Sequence, residues 1–233
     1  MRADFNTTRW TLVIDAGKTS GPECRPALEI LCRAYWEPLN AYVCRSGRSR
    51  EDAQDITQAF FEHLLANNLP SRADPQIGRF RTFLLTSLRN FMLTRHRDAT
   101  RQKRGGLISE HLSIDELAEI LPAESESPET AYERKWAQTL VNISLDELAR
   151  QQSDSGNHAR FSLLRPILLD SADSAALQAR LVTEHGMTDG SIRTTLSRLR
   201  SRFREIVRQE VARLVDDPAE VDDELAHLLR AMG

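Results

Sequence analysis

The sequence predicts an all-α protein of two small helical domains joined by an acidic linker, the second domain containing a helix-turn-helix. Three observations predict it. Apolar residues recur at helical spacing along most of the chain, with no strand alternation and no internal repeat. Gly186 separates two such helical stretches near the carboxyl end, as a helix-terminating glycine does. Charge is segregated: 79–104 carries Arg79, Arg81, Arg89, Arg95, Arg97, Arg101, Lys103 and Arg104 against Asp98 alone, whereas 110–129 and 216–224 are acidic with no lysine or arginine. The expected division is 1–106 for the first domain, 107–128 for the linker, 129–215 for the second domain and 216–233 for an acidic carboxyl-terminal extension.

Each element follows from the order of residues. Thr7 or Thr8 can cap a short helix that faces Trp10, Val13 and Ile14 inward and ends near Gly17. After Pro22 a longer helix carries Leu28, Leu31, Cys32, Tyr35, Trp36, Leu39, Tyr42 and Val43 on one broad side, with Pro38 as a possible kink. Ser49 and Asp52 form a variant capping box that opens the next helix, whose buried stripe is Ala53, Ile56, Phe60 and Leu64. Asp52, Asp55, Gln58 and Glu62 then point outward, an acidic and amide-bearing face suited to a basic protein surface. The proline- and glycine-containing stretch 67–78 is a loop. The helix from Arg79 is too apolar in its middle for a surface helix and becomes basic toward Gly106, with Phe83 and Phe91 expected in the core.

Beyond the linker, with a possible short turn of helix at 113–121, helical spacing resumes through Tyr132, Trp136, Leu140, Ile143, Leu145 and Leu148. A polar interruption at 153–157 precedes Phe161, Leu164, Ile167 and Leu168. Leu177, Leu181 and Val182 bury one face of the helix before Gly186; Thr188 caps the next, and Asp189 favours its positive end. In that second helix Ile192, Leu196, Leu199, Phe203 and Ile206 seat it on a core. Arg193, Arg198, Arg200, Arg202, Arg204 and Arg208 line the remainder, opposed between 193 and 208 by Glu205 alone. A last helix is expected to place Leu225, Leu228 and Leu229 on a partner surface.

These patterns point to nucleic acid. A recognition helix sets its first residues at base edges and later cations on phosphates, so Ser191, Arg193, Thr194, Ser197 and Arg198 are base or sugar contacts and Arg200, Arg202 and Arg204 are phosphate anchors. Cations and amides around 101–106 suit a single strand, whose backbone is tracked by arginine and lysine. The chain of 233 residues has a net charge of −3, so its acidic blocks make it a weak non-specific DNA binder that needs a partner to hold it there.

Composition, 40% hydrophobic and 28% charged, is that of a soluble globular protein. Neither a twenty-residue apolar run nor a secretory leader occurs, so a cytoplasmic protein without membrane contact is expected. Cys24, Cys32 and Cys44 are an odd set with no Cys-x-x-Cys, and read as reduced thiols. The histidines are scattered, and no phosphate-binding glycine loop, carboxylate cluster or nucleophile–base pair occurs. No metal, cofactor, small-molecule substrate or enzymatic activity is therefore expected.

With these motifs in order, the chain resembles the extracytoplasmic-function (ECF) sigma factors, promoter-recognition subunits of bacterial RNA polymerase. DAQDITQAFFEHLL from Asp52 is similar to the family's helix that grips the polymerase beta-prime clamp, and GRFRTFL from Gly78 through Gly106 to its minus-ten segment. GMTDGSIR from Gly186, with Ser197-Arg-Leu-Arg, is similar to its minus-thirty-five reader. TRW from Thr8 and DPAEVDDEL from Asp217 resemble a longer-chained branch with a carboxyl-terminal extension.

The resemblance implies polymerase binding by Asp52, Asp55, Ile56, Gln58, Phe61 and Glu62. It implies minus-ten contacts by Arg79, Arg81, Arg89, Asn90, Arg95, Arg97, Arg101 and Lys103. Minus-thirty-five contacts would fall to Thr188, Ser191, Arg193, Thr194, Ser197, Arg198, Arg200 and Arg202. The implied partners are core polymerase through its beta-prime clamp and beta flap, promoter DNA, and an anti-sigma or other regulator. The alternative is a helix-turn-helix transcription regulator that acts without polymerase core. His185 departs from the family pattern, standing where a buried leucine is usual before the turn.

Overall fold

The computed structural model describes residues 24–67, 79–104, 126–168, 174–215 and 218–232. Among the described residues all regular structure is helical: α1 (Cys24–Arg45), α2 (Arg50–Ala66), α3 (Phe80–Arg104), α4 (Pro128–Asp154), α5 (His158–Leu168), α6 (Ser174–His185), α7 (Asp189–Ala212), a 3-10 turn (Pro218–Glu220) and α8 (Val221–Met232). The all-α expectation holds. The helix expected before Gly17, the turn of helix at 113–121 and most of the loop and linker lie outside the described residues. No helix among the described residues is long and apolar enough to cross a membrane.

The chain divides into two compact units, Met1–Thr139 with Ala212–Gly233, and Leu140–Val211. This division differs from the one expected at 128/129 and 215/216. The first part of α4 and all of α8 join the first unit, because Tyr132 and Trp136 are completely buried there and α8 packs in the same unit through Val221, Glu224 and Leu228.

In the first unit, local chemistry sets the helix ends. Ser49 caps α2: its hydroxyl accepts from the Asp52 backbone N–H at 3.1 Å and donates to the Asp52 carboxylate at 2.8 Å. Asp52 thus meets the capping hydroxyl rather than reaching back to the cap's N–H. Ser127 caps α4, accepting from Thr130 N–H at 3.1 Å, with Pro128 at the first helical position where a missing N–H costs nothing. Pro38 lies inside α1, which continues to Arg45. Leu31, Tyr35, Leu39 and Val43 of α1, Phe60, Phe61 and Leu64 of α2, and Phe80, Leu84 and Leu88 of α3 are buried. Each such side chain contributes roughly 1.5–3 kcal/mol by leaving water. Tyr35 meets Phe80 edge-on at 5.5 Å and Trp36 stacks on Phe61 at 5.6 Å. Phe83 and Phe91 are half-buried at the rim of this core. Cys32 and Cys44 are free thiols, and burial raises the pKa of Cys32.

The second unit is built around Leu148, Phe161, Leu164, Leu181, Met187, Ile192, Leu196, Leu199 and Ile206, with Leu177 and Phe203 packed at its edge. The interruption after α4 is a glycine stop: Gly156 has φ +72, Gly156 N–H donates to Ser153 O at 2.9 Å and Asn157 N–H to Gln152 O at 2.8 Å. Gly186, at φ +61, ends α6 by donating to Val182 O at 3.1 Å. Thr188 caps α7 by accepting from Ser191 N–H at 3.2 Å. His185 is half-buried, and Met187 just beyond the turn is the residue that fills the core. Val182, expected inside, is 42% exposed, because one residue past Leu181 the helix has turned about 100° away from the core.

Candidate nucleic-acid interface

The acidic outer face of α2 forms as its spacing requires. Asp52, Asp55, Gln58 and Glu62 are exposed, and Gln58 donates to Glu62 at 3.1 Å. Ile56 is half-buried beside them. Phe61, expected among the partner contacts, is 7% exposed, stacked on Trp36 and edge-on to Phe60, so it supports the face from beneath. Thr57 also turns inward, its hydroxyl satisfied by Ala53 O at 2.7 Å, which lets a polar residue occupy the apolar stripe.

On α3 the predicted cations separate into two groups. Asn90, Arg95 and Arg97 are exposed, and Arg95 lies over the Phe91 ring at 5.7 Å. Asn90, Thr94 and Arg97 share one side of the helix by its 3.6-residue period. The side chains of Arg101 and Lys103 lie outside the described residues. Arg89 is paired with Glu129 at 3.1 Å near the surface.

The amino-terminal end of α3 is different. Arg81, expected as a minus-ten contact, is 5% exposed and covered in this conformation. Its Nε donates to Glu224 of α8 at 2.8 Å and its Nη1 to Glu133 of α4. The guanidinium also covers the Trp136 ring at 5.0 Å. Arg79, partly exposed, pairs with the other Glu224 oxygen at 2.7 Å without hydrogen-bond alignment. His227 Nε2 lies 2.8 Å from both Arg81 Nη1 and Glu133 Oε2, so its tautomer decides which of them it serves. Tyr132 donates to Arg81 O at 3.0 Å, and burial raises its phenol pKa well above the usual value.

The sequence reading missed Glu133, Trp136, Glu224 and His227 as members of this cluster. A signal was there: Arg81 is in step with Leu84 and Leu88, and Glu224 with Val221, Leu225 and Leu228. Each charge thus occupies an apolar-stripe position on its own helix, which requires a buried partner of opposite sign.

In the second unit, Arg193, Ser197, Arg200 and Arg204 recur at i, i+4, i+7 and i+11 and are all exposed, forming one polar row along α7. Thr188, Ser191, Thr194 and Arg198 are exposed as well, although the Thr194 hydroxyl is engaged with Gly190 O at 2.9 Å. Arg202 falls on the opposite flank from Arg193. It is held by Gln151 at 2.8 Å and Glu205 at 2.6 Å, so it ties α7 to α4 within this unit.

Among the described residues the protein is all-helical, with an arginine-bearing helical face in each unit and an anionic helix face in the first. Residues 31–102, which span most of α1, all of α2 and nearly all of α3, match the family model Sigma-70 region 2. The chain therefore carries a sigma-70 region 2 domain, the part of a sigma factor that binds core RNA polymerase and promoter minus-ten DNA. This indicates a sigma factor's role in promoter recognition. A search of curated proteins and a search of solved structures each return no match.

Proposed function

We propose that this chain is an ECF-type sigma factor that directs core RNA polymerase to its promoters and assists initiation without covalent chemistry of its own. The observation that carries the reading is the region 2 match, whose span holds both the exposed acidic face of α2 and the cationic side of α3. In this reading Asp52, Asp55, Gln58 and Glu62, with Ile56 at their edge, dock on the beta-prime clamp. Asn90, Arg95 and Arg97, followed by Arg101 and Lys103, track the opened strand near the minus-ten position. There, stacking of each base contributes about 1–3 kcal/mol toward the cost of melting.

The Arg193, Ser197 and Arg200 row of α7, with Thr188, Ser191, Thr194 and Arg198 around its first turns, reads minus-thirty-five duplex, and the second unit meets the beta flap. Support for this second half is the glycine-terminated turn between α6 and α7 and the row of exposed arginines. An anti-sigma protein or other regulator and a cytoplasmic location belong to the same reading. Run-off transcription with purified core polymerase and sequencing of the start sites tests it. Specific initiation that requires this chain is expected, and failure to co-elute with core polymerase refutes it.

A further inference from the structure

Helix α8 places a buried carboxylate against Arg79 and Arg81 at the amino-terminal end of α3. Glu224 is 3% exposed, and its two oxygens engage Arg79 at 2.7 Å and Arg81 at 2.8 Å. Acidic residues in a helix's first turn are common because they favour its positive end, and Asp222 and Asp223 meet that description at exposed positions. Helix stabilisation does not require that an acidic residue of the first turn be buried against two arginines at the start of another helix. Val221 and Leu228, one turn to either side, are buried with Glu224 and seat it. The same two arginines open the cationic helix of the region 2 domain.

We propose that α8 is an internal mask: Glu224 competes with nucleic-acid phosphate for Arg79 and Arg81, and the first unit reaches its full DNA affinity only when α8 leaves them. The inference rests on the reading of α3 as the DNA-facing helix of this domain. A tethered ligand acts at a high effective concentration, so the Glu224 carboxylate holds the arginines against dilute DNA. It yields to DNA presented at comparable local concentration on a polymerase. Glu133 and Trp136 keep Arg81 ordered beneath the mask, so its removal uncovers a positioned cation.

The test is binding of a fluorescent single-stranded oligonucleotide to the full chain and to Glu224→Gln, followed by anisotropy across a salt series. One added single-strand phosphate contact steepens the slope of log K against log salt by about 0.7 and raises affinity about fivefold at ~0.1 M salt. Glu224→Gln frees Arg79 directly while Glu133 still holds Arg81, so a slope steeper by about 0.7 and a gain of about fivefold are expected, rising toward about 1.4 and about 25-fold only as α8 itself leaves Arg81. Arg79→Ala in the Glu224→Gln background is expected to remove one contact's share of that gain. A folded Glu224→Gln protein with unchanged affinity and slope overturns the mask.

Hydrogen exchange of the unaltered chain, with and without saturating oligonucleotide, gives a reading that needs no variant. Amides of α8 are expected to exchange faster in the complex, and unchanged protection overturns the proposal. Co-elution of both proteins with core polymerase is measured alongside. Loss of that binding in the unaltered chain counts against the sigma reading, whereas retained binding with no change in DNA affinity counts against the mask alone.

Discussion

Replacing Arg81 by alanine tests whether the buried charge cluster holds the first unit together. The substitution leaves Glu224 almost fully buried with Arg79 as its ion-pair partner, and leaves Glu133 beside His227. Removing one partner of a buried ion pair typically costs about 3–5 kcal/mol. The surviving Arg79 contact puts this case near the lower end. The bond from Tyr132 to Arg81 O is a backbone contact that alanine retains, so it does not add to the loss. For a protein of this size a destabilisation of about 3 kcal/mol lowers Tm by roughly 6–12 °C. Urea unfolding followed by tryptophan fluorescence suits the measurement, since Trp136 is in the cluster. The double substitution Arg81→Met with Glu224→Met removes both charges and should recover much of the loss, because two apolar side chains carry no unpaired charge. A loss below about 1 kcal/mol, or single and double variants that simply add, would refute the reasoning.

Four further outcomes are expected. Asp55→Ala, at an exposed position, should weaken co-elution with core polymerase while shifting stability by no more than about 0.5 kcal/mol in a melt. Arg193→Ala should reduce promoter-specific transcription by about 5- to 150-fold, the equivalent of roughly 1–3 kcal/mol for a base contact, with polymerase binding intact by gel filtration. Gly186→Ala meets no atom within 4 Å but must hold φ +61, so a loss of about 1–2 kcal/mol is expected, with a smaller loss for Gly186→Asn. Tyr132 is neutral in the fold with its pKa raised, so its contribution is complete below the unfolded value near 10 and is lost as pH rises above it, when the unfolded phenol ionises. Its phenolate absorbance should therefore appear together with unfolding in an alkaline titration, and ionisation while the native fold persists would contradict the burial.

Local signals in the chain were legible where a short stretch of sequence controls its own geometry. The Ser49 and Thr188 caps, the glycine turn at 186 and the α7 stripe of Ile192, Leu196, Leu199 and Ile206 depend on neighbours within one or two turns. The acidic face of α2 and the arginine row of α7 follow from the same 3.6-residue period. Phe61 and Val182 were harder, because each lies at the edge of an apolar stripe, where packing against another helix decides which way a side chain turns. Phe61 found Trp36 and went in, while Val182 stayed out.

The amino-acid order by itself determined that the protein is helical, where several of its helices begin and end, and which of their faces carry charge, because those properties arise from hydrogen bonds and spacings a few residues long. Tertiary structure alone decided the fate of Arg81. Its partners Glu133 and Glu224 are 52 and 143 residues away in the chain, and whether a cation meets water, DNA or a carboxylate depends on which distant helix is brought to it.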